Sequence, residues 1–231
     1  MRRILRRLDE ASRGDLLRRS RYQSKARWQK RLNYRISDFR GVDLKELFNN
    51  GTFVYNTPIK DYVCTIAFDG ALDAIKKAVK NTSSVKQITL NQIAKALVWA
   101  YNNEDVRINC TCKDYFYRFR YNSTQGKYQH GQGENRPTKI TNPLNNKGSC
   151  CKHLDLLLAN ESWIGKCASV ITEFIKAYPD KAAYYLYDNP NERKKKSFDE
   201  YDKDKEVPED NEDTLELKEP DETVEIETEE N

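Results

Sequence analysis

The chain has 231 residues, of which 33% are charged and 38% apolar, with a mean hydropathy of −0.91 and a formal charge of +4. That length allows one or two domains, and so polar a composition implies a modest core with solvated or extended ends. No apolar run reaches 18 residues, which excludes an ordinary transmembrane helix. The basic start MRRILRRLDEASRGDLLRR leads into no apolar stretch of signal-peptide length, so the expectation is an intracellular or virus-particle location with no membrane partner.

The charge is unevenly distributed. Residues 1–40 carry fourteen Arg or Lys against four Asp or Glu, whereas residues 197–231 carry seventeen acidic residues against three lysines. The expected organisation is a basic helical or extended arm (1–40), a mildly basic body and an acidic tail (191–231) with too little apolar content to fold. In the arm, Ile4, Leu8, Leu16 and Leu17 recur at helical spacing, with Gly14 as a weak point. Tyr22, Trp28 and Tyr34 then alternate with basic residues. Cations neutralise phosphates, and aromatics stack on bases or anchor in protein pockets. Arg18, Arg19, Arg21, Lys25, Arg27, Trp28, Lys30, Arg31 and Arg35 are therefore candidates for nucleic-acid or partner binding. The competing reading is a surface helix packed on its own domain.

The globular pattern begins near residue 51, within an expected segment 41–105. Runs at 52–56 and 62–68, separated by Pro58 and the pair Lys60 and Asp61, read as a β-hairpin. Leu72, Ile75 and Val79 then mark one helical face, with Asp69 as its cap. Leu90, Ile93, Leu97 and Tyr101 mark a second, capped by Thr89. Val106, Ile108 and Cys110 alternate as a short strand.

Six cysteines follow no secreted-disulfide logic in a chain of this length. By themselves, Cys110 and Cys112 read as a ligand pair, a redox pair or core filler. The distant CCKH changes the balance. Cys151 and His153 repeat the one-residue gap after 38 intervening residues, giving Cys-x-Cys … Cys-x-His. Three thiolates and an imidazole are a standard set for structural Zn2+, and four protein ligands leave no open position for catalysis. Cys151 is preferred to its neighbour Cys150 because it keeps the Cys-x-His spacing. Cys64 and Cys167 lie in apolar patterns and read as core.

The order of these ligands resembles the SWIM-type zinc finger. That resemblance implies a first pair on a β-hairpin and a second pair opening a helix, with residues 113–150 as a long insertion and 106–190 as the zinc module. A wider pattern is similar to an uncharacterised protein family of tailed, crAss-like gut bacteriophages. The matching residues are 110–119, 134–137, 142–143 and 151–153, within a resemblance spanning roughly 20–175. It implies a virion protein, or one in the host cytoplasm during assembly, contacting other virion subunits and packaged DNA.

Inside the insertion, DYFYRFRY reads as a short helix or a β-extension. Tyr115, Phe116 and Phe119 would pack beneath the metal, while Arg118 and Arg120 face solvent or pair with Asp114. His130 fits no ligand spacing and reads as a surface residue. A helix capped by Ser162 carries Ile164, Ala168, Ile171 and Ile175 and stops at Pro179, and a tyrosine-rich helix or strand follows. No nucleophile-and-base motif, phosphate-binding loop or open metal motif is present, so neither an enzyme nor a small-molecule substrate is expected. The fold class expected is α+β. The function expected is a zinc-binding virion structural protein, with a nucleic-acid-binding accessory protein as the alternative.

Overall fold

A computed structural model describes residues 12–20, 34–36, 38–137, 149–187 and 197–200. The architecture is α+β. Among the described residues, β1 (Phe53–Ile59), β2 (Tyr62–Phe68) and β3 (Val106–Cys110) form an antiparallel sheet in the order β1-β2-β3. The helices are α1 (Arg13–Ser20), α2 (Leu44–Asn50), α3 (Ala71–Val79), α4 (Leu90–Asn103), α5 (Lys113–Arg118), α6 (Arg120–Gln125), α7 (Lys152–Ala159), α8 (Ser162–Ala177) and α9 (Pro179–Leu186).

The hairpin register places one face of the sheet in the core. Phe53 opposes Phe68, Tyr55 opposes Ile66 and Thr57 opposes Cys64. Across the next ladder, Phe68 meets Val106, Ile66 meets Ile108 and Cys64 meets Cys110. All of these side chains are buried, as the two-residue period of a strand requires. The hairpin turn is the two residues Lys60 and Asp61, with Lys60 in the left-handed region at φ 59°. Pro58 lies within β1 instead of separating two strands. It pairs with Val63 on an edge strand, where a missing N–H is tolerated.

Trp163 of α8 centres the core above the sheet. Its ring stacks on Tyr55 at 4.9 Å and meets Tyr101 edge-on at 5.6 Å, and its Nε1–H donates to the Leu157 carbonyl at 3.0 Å. Thus α8 and α7 bind the sheet and α4 through one aromatic cluster. The 105/106 division used for the sequence falls inside this sheet, because β3 pairs with β2.

Several local expectations change. Thr89 caps α4 in a full capping box with Gln92, as the sequence predicts, but Leu90 is 45% exposed because it opens the helix on the solvent side. The cap of α3 is Gly70 at φ 69°, not Asp69. The Asp69 carboxylate instead accepts from Thr52 and Arg107, both at 2.7 Å. Ser162 is the first residue of α8 and not its cap. Glu161 holds the cap position, and the Ser162 N–H donates to Asn160 Oδ1.

Gly14 does not break α1, since it sits in the first turn, where few intrahelical bonds depend on it. This helix is docked, not free. Leu16 is fully buried, Arg13 donates to the Leu158 carbonyl at 2.7 Å and to Glu161, and Ser149 Oγ–H donates to the Leu16 carbonyl at 2.6 Å.

Candidate metal centre

The site forms where a strand end and two helix starts converge. The register of β2 and β3 puts Cys110 on the core face, at the end of β3. The chain turns at Thr111 and enters α5 with Cys112 as its N-cap, so the first pair spans a strand-to-helix junction and not a hairpin. Cys112 Sγ accepts the Tyr115 N–H at 3.3 Å, as a serine would at that position. On the far side of the insertion, Cys151 N-caps α7 and His153 lies in its first turn. Leu154, Leu157 and Leu158 are fully buried and hold that helix in the core.

Cys110, Cys112, Cys151 and His153 are all buried, and one ligand atom from each lies within 4.8 Å of the others. His153 Nδ1 is 3.8 Å from Cys110 Sγ and 3.9 Å from Cys151 Sγ. Tetrahedral bonds of about 2.3 Å to sulfur and 2.0–2.1 Å to nitrogen put neighbouring donors roughly 3.5–3.8 Å apart. The cluster is thus close to the size that one metal ion requires. A buried Cys3His set of this kind can hold a metal.

The electrostatics follow from crowding. Cys112 and Cys110 shift each other in opposite directions. Hydrogen bonding from Cys110 lowers the pKa of Cys112, with further help from Cys151, His153 and the Tyr115 N–H, while the same contact raises that of Cys110. Burial, followed by the other thiols, pushes Cys151 up. A cation held by these four residues would remove this conflict, because each thiol could then ionise against the same positive charge.

The surround is aromatic. Tyr34 meets the His153 ring edge-on at 4.8 Å and Tyr62 lies at 5.2 Å from it. Lys152 Nζ sits 5.4 Å over the Tyr34 ring. His153 Nε2 is buried and has no hydrogen-bond partner among the described residues. Beneath α5, Tyr115 is fully buried and its hydroxyl bonds to Ile108, Ser123 and Gln129, while Phe119 is 1% exposed. Phe116 does not join them. At 36% exposed, it lies on the outer face of α5 beneath Arg120. Arg118 pairs with Asp114 at 3.4 Å, and Arg120 donates to the Gln132 carbonyl. DYFYRFRY is thus helical, divided between α5 and α6 at Phe119.

Two neighbours escaped the sequence reading. Cys64 is core, as expected, but its Sγ lies 3.5 Å from Cys110 Sγ, so it touches the cluster. The Cys110 contact lowers its pKa, yet burial and the surrounding thiols leave it raised. Tyr34 lies among the basic residues of the arm in sequence but belongs to the site. Cys150 is fully buried beside Cys151 and outside the four-donor set, with its pKa pushed up by burial. His130 is half-buried and not on the open surface. It borders a depression of about 470 Å³ on the sheet's other face, where Arg107 is already paired with Asp69.

Of the candidate binding residues, Arg18 is exposed and paired with Asp15 at 2.5 Å, and Arg35 is exposed. The backbone of Arg19 lies in α1. Arg21, Lys25, Arg27, Trp28, Lys30 and Arg31 lie outside the described residues, as does the acidic tail beyond residue 200. No helix among the described residues is long and apolar enough to cross a membrane. No family model, curated protein or solved structure matches the chain.

Proposed function

We propose that this chain is a non-enzymatic structural protein of a bacteriophage particle, whose fold is stapled by one zinc ion held by Cys110, Cys112, Cys151 and His153. The observation that carries the zinc assignment is the buried Cys3His cluster with all four donors within 4.8 Å. Soft thiolates select zinc over magnesium or calcium, and four protein donors close the coordination shell. A closed, buried site serves stability, not turnover. The particle assignment rests on the resemblance to crAss-like phage proteins and on the charge layout, a basic N-terminal 40 residues against an acidic C-terminal tail. Such opposite ends suit contacts with neighbouring subunits and packaged DNA.

Elemental analysis of the purified chain tests the metal, with one zinc per chain expected. Quantitative mass spectrometry of purified particles tests the role, with a fixed copy number expected. Absence from particles, together with submicromolar DNA binding that weakens steeply with salt, would establish the accessory nucleic-acid-binding reading instead.

A further inference from the structure

Away from the metal centre, a short piece of the C-terminal segment is seated in a socket of its own. Residues 197–200, Ser-Phe-Asp-Glu, follow nine residues that lie outside the described structure. Phe198 is only 9% exposed. Its ring lies parallel to Phe48 (5.7 Å, 7°) and packs on Phe174 at 5.5 Å and on Tyr185 at 6.0 Å. Lys181, itself 5% exposed, holds its ammonium 3.6 Å from the centre of the Phe198 ring. The Phe198 N–H donates to Asn49 Oδ1 at 2.6 Å, and Asp199 pairs with Lys45 at 2.8 Å. The four residues also close on themselves. Ser197 N–H donates to Glu200 Oε2 and Glu200 N–H to Ser197 Oγ, the reciprocal pattern of a capping box.

Phe198 and Asp199 are met by matching groups: the ring by three aromatics and a buried cation, the Phe198 N–H by an amide, the Asp199 carboxylate by a lysine. That is the anatomy of peptide recognition, an aromatic anchor in a pocket with charged contacts at its rim. We propose that Lys45, Phe48, Asn49, Phe174, Lys181 and Tyr185 form a recognition site for the Ser-Phe-Asp-Glu hook, and that in assemblies the hook is supplied by a second copy of this chain. A hook exchanged between copies makes the same contacts as one seated at home, which makes swapping a low-cost route to association. Withdrawal without exchange would uncover Phe48, Phe174 and Tyr185 together. The acidic residues 197–231, net −14, complement the +10 and +8 of residues 1–40 and 41–196 in a second copy just as they do in their own chain, so no charge barrier opposes the exchange.

The test uses the full chain. Equal amounts of ¹⁴N- and ¹⁵N-labelled protein are mixed at rising concentration and treated with a carbodiimide, which condenses Lys45 Nζ with the Asp199 carboxylate into an amide. Mass spectrometry of the crosslinked peptides separates same-isotope from mixed-isotope pairs. The expected result is a mixed-isotope share that climbs with concentration, and a total crosslink yield that falls at least tenfold in Phe198→Ala. Exclusively same-isotope crosslinks at every concentration would overturn the exchange between copies. A yield unchanged in Phe198→Ala would overturn the socket itself.

Discussion

Removing the metal should weaken this protein without unfolding it, and the size of the effect follows from the structure. The sheet, α4 and α8 share an aromatic core around Trp163 that makes no use of the site, so the chain is unlike a small finger whose whole fold is its ion. A bound ion would add its binding free energy on top. At free zinc 100 to 1,000 times Kd, binding to the folded state alone contributes about 2.7–4.1 kcal/mol. For a domain of this size each kcal/mol moves Tm by about 2–4 °C, so chelation should lower Tm by about 5–16 °C. Cys112→Ser is the cleanest variant. Cys112 is the N-cap of α5, and serine is a preferred residue there, so the helix keeps its cap while the ligand is lost. Differential scanning calorimetry with and without a strong chelator measures both. The wild type should drop by that amount, and Cys112→Ser should start low and ignore the chelator. A wild-type Tm that moves by less than about 1 °C, in protein carrying no metal, would refute the reasoning.

Three further outcomes are expected. Cys64→Ala should keep one metal per chain by elemental analysis, despite the 3.5 Å contact with Cys110, and cost roughly 1 kcal/mol in urea unfolding from lost packing. Gly41→Ala should destabilise by about 1–3 kcal/mol or more, because its Cβ would stand 1.6 Å from the Asn56 carbonyl oxygen, and Asn56 N–H is itself bonded to the Gly41 carbonyl at 2.8 Å. Burial, and then Arg107, lower the His130 pKa below its ordinary 6.5. As pH falls through 6.5 the unfolded chain takes up that proton first, so stability is present above this value and is lost toward the folded pKa; His130→Gln should flatten the decline in denaturation midpoints measured between pH 7 and 5.

What the sequence revealed, and what it hid, divides along the range of the interactions. The members of the Cys3His cluster were legible because each pair is local and the pairs differ in chemistry: Cys110 with Cys112, and Cys151 with His153. The helices over Leu72, Ile75 and Val79 and over Ile164, Ala168 and Ile171 were legible because one period of 3.6 residues records a buried face. Periodicity does not say where that face ends, so Leu90 and Phe116 were placed inside when they lie at its margins. Cys64 was hidden because its contact with Cys110 depends on strand register, set by pairings between segments that two helices separate. Tyr34 was hidden by composition, since it sits among arginines and its ring partner is more than a hundred residues away. Phe198 was hidden in the same way at the head of an acidic tail.

The long insertion between the ligand pairs is compatible with a tight site for a simple reason. Closing a flexible loop costs free energy that grows only with the logarithm of its length, about 0.6 kcal/mol for each doubling. The 38 residues between Cys112 and Cys151 therefore cost little more than a short connection would. Much of that cost is met locally. Residues 113–125 form α5 and α6 against Tyr115 and Phe119, and the chain then returns along the sheet edge, where Ile108 N–H bonds to the Tyr128 carbonyl at 2.8 Å and His130 N–H to the Ile108 carbonyl at 3.0 Å. The far end is fixed independently by the leucines of α7. Both halves of the site are thus held by packing alone, so a bound metal would contribute by locking their relative position. It follows that a variant disturbing the returning segment at Tyr128 should loosen the insertion while leaving the four donors in place, whereas a variant of the α7 leucines should separate the two pairs and abolish metal binding.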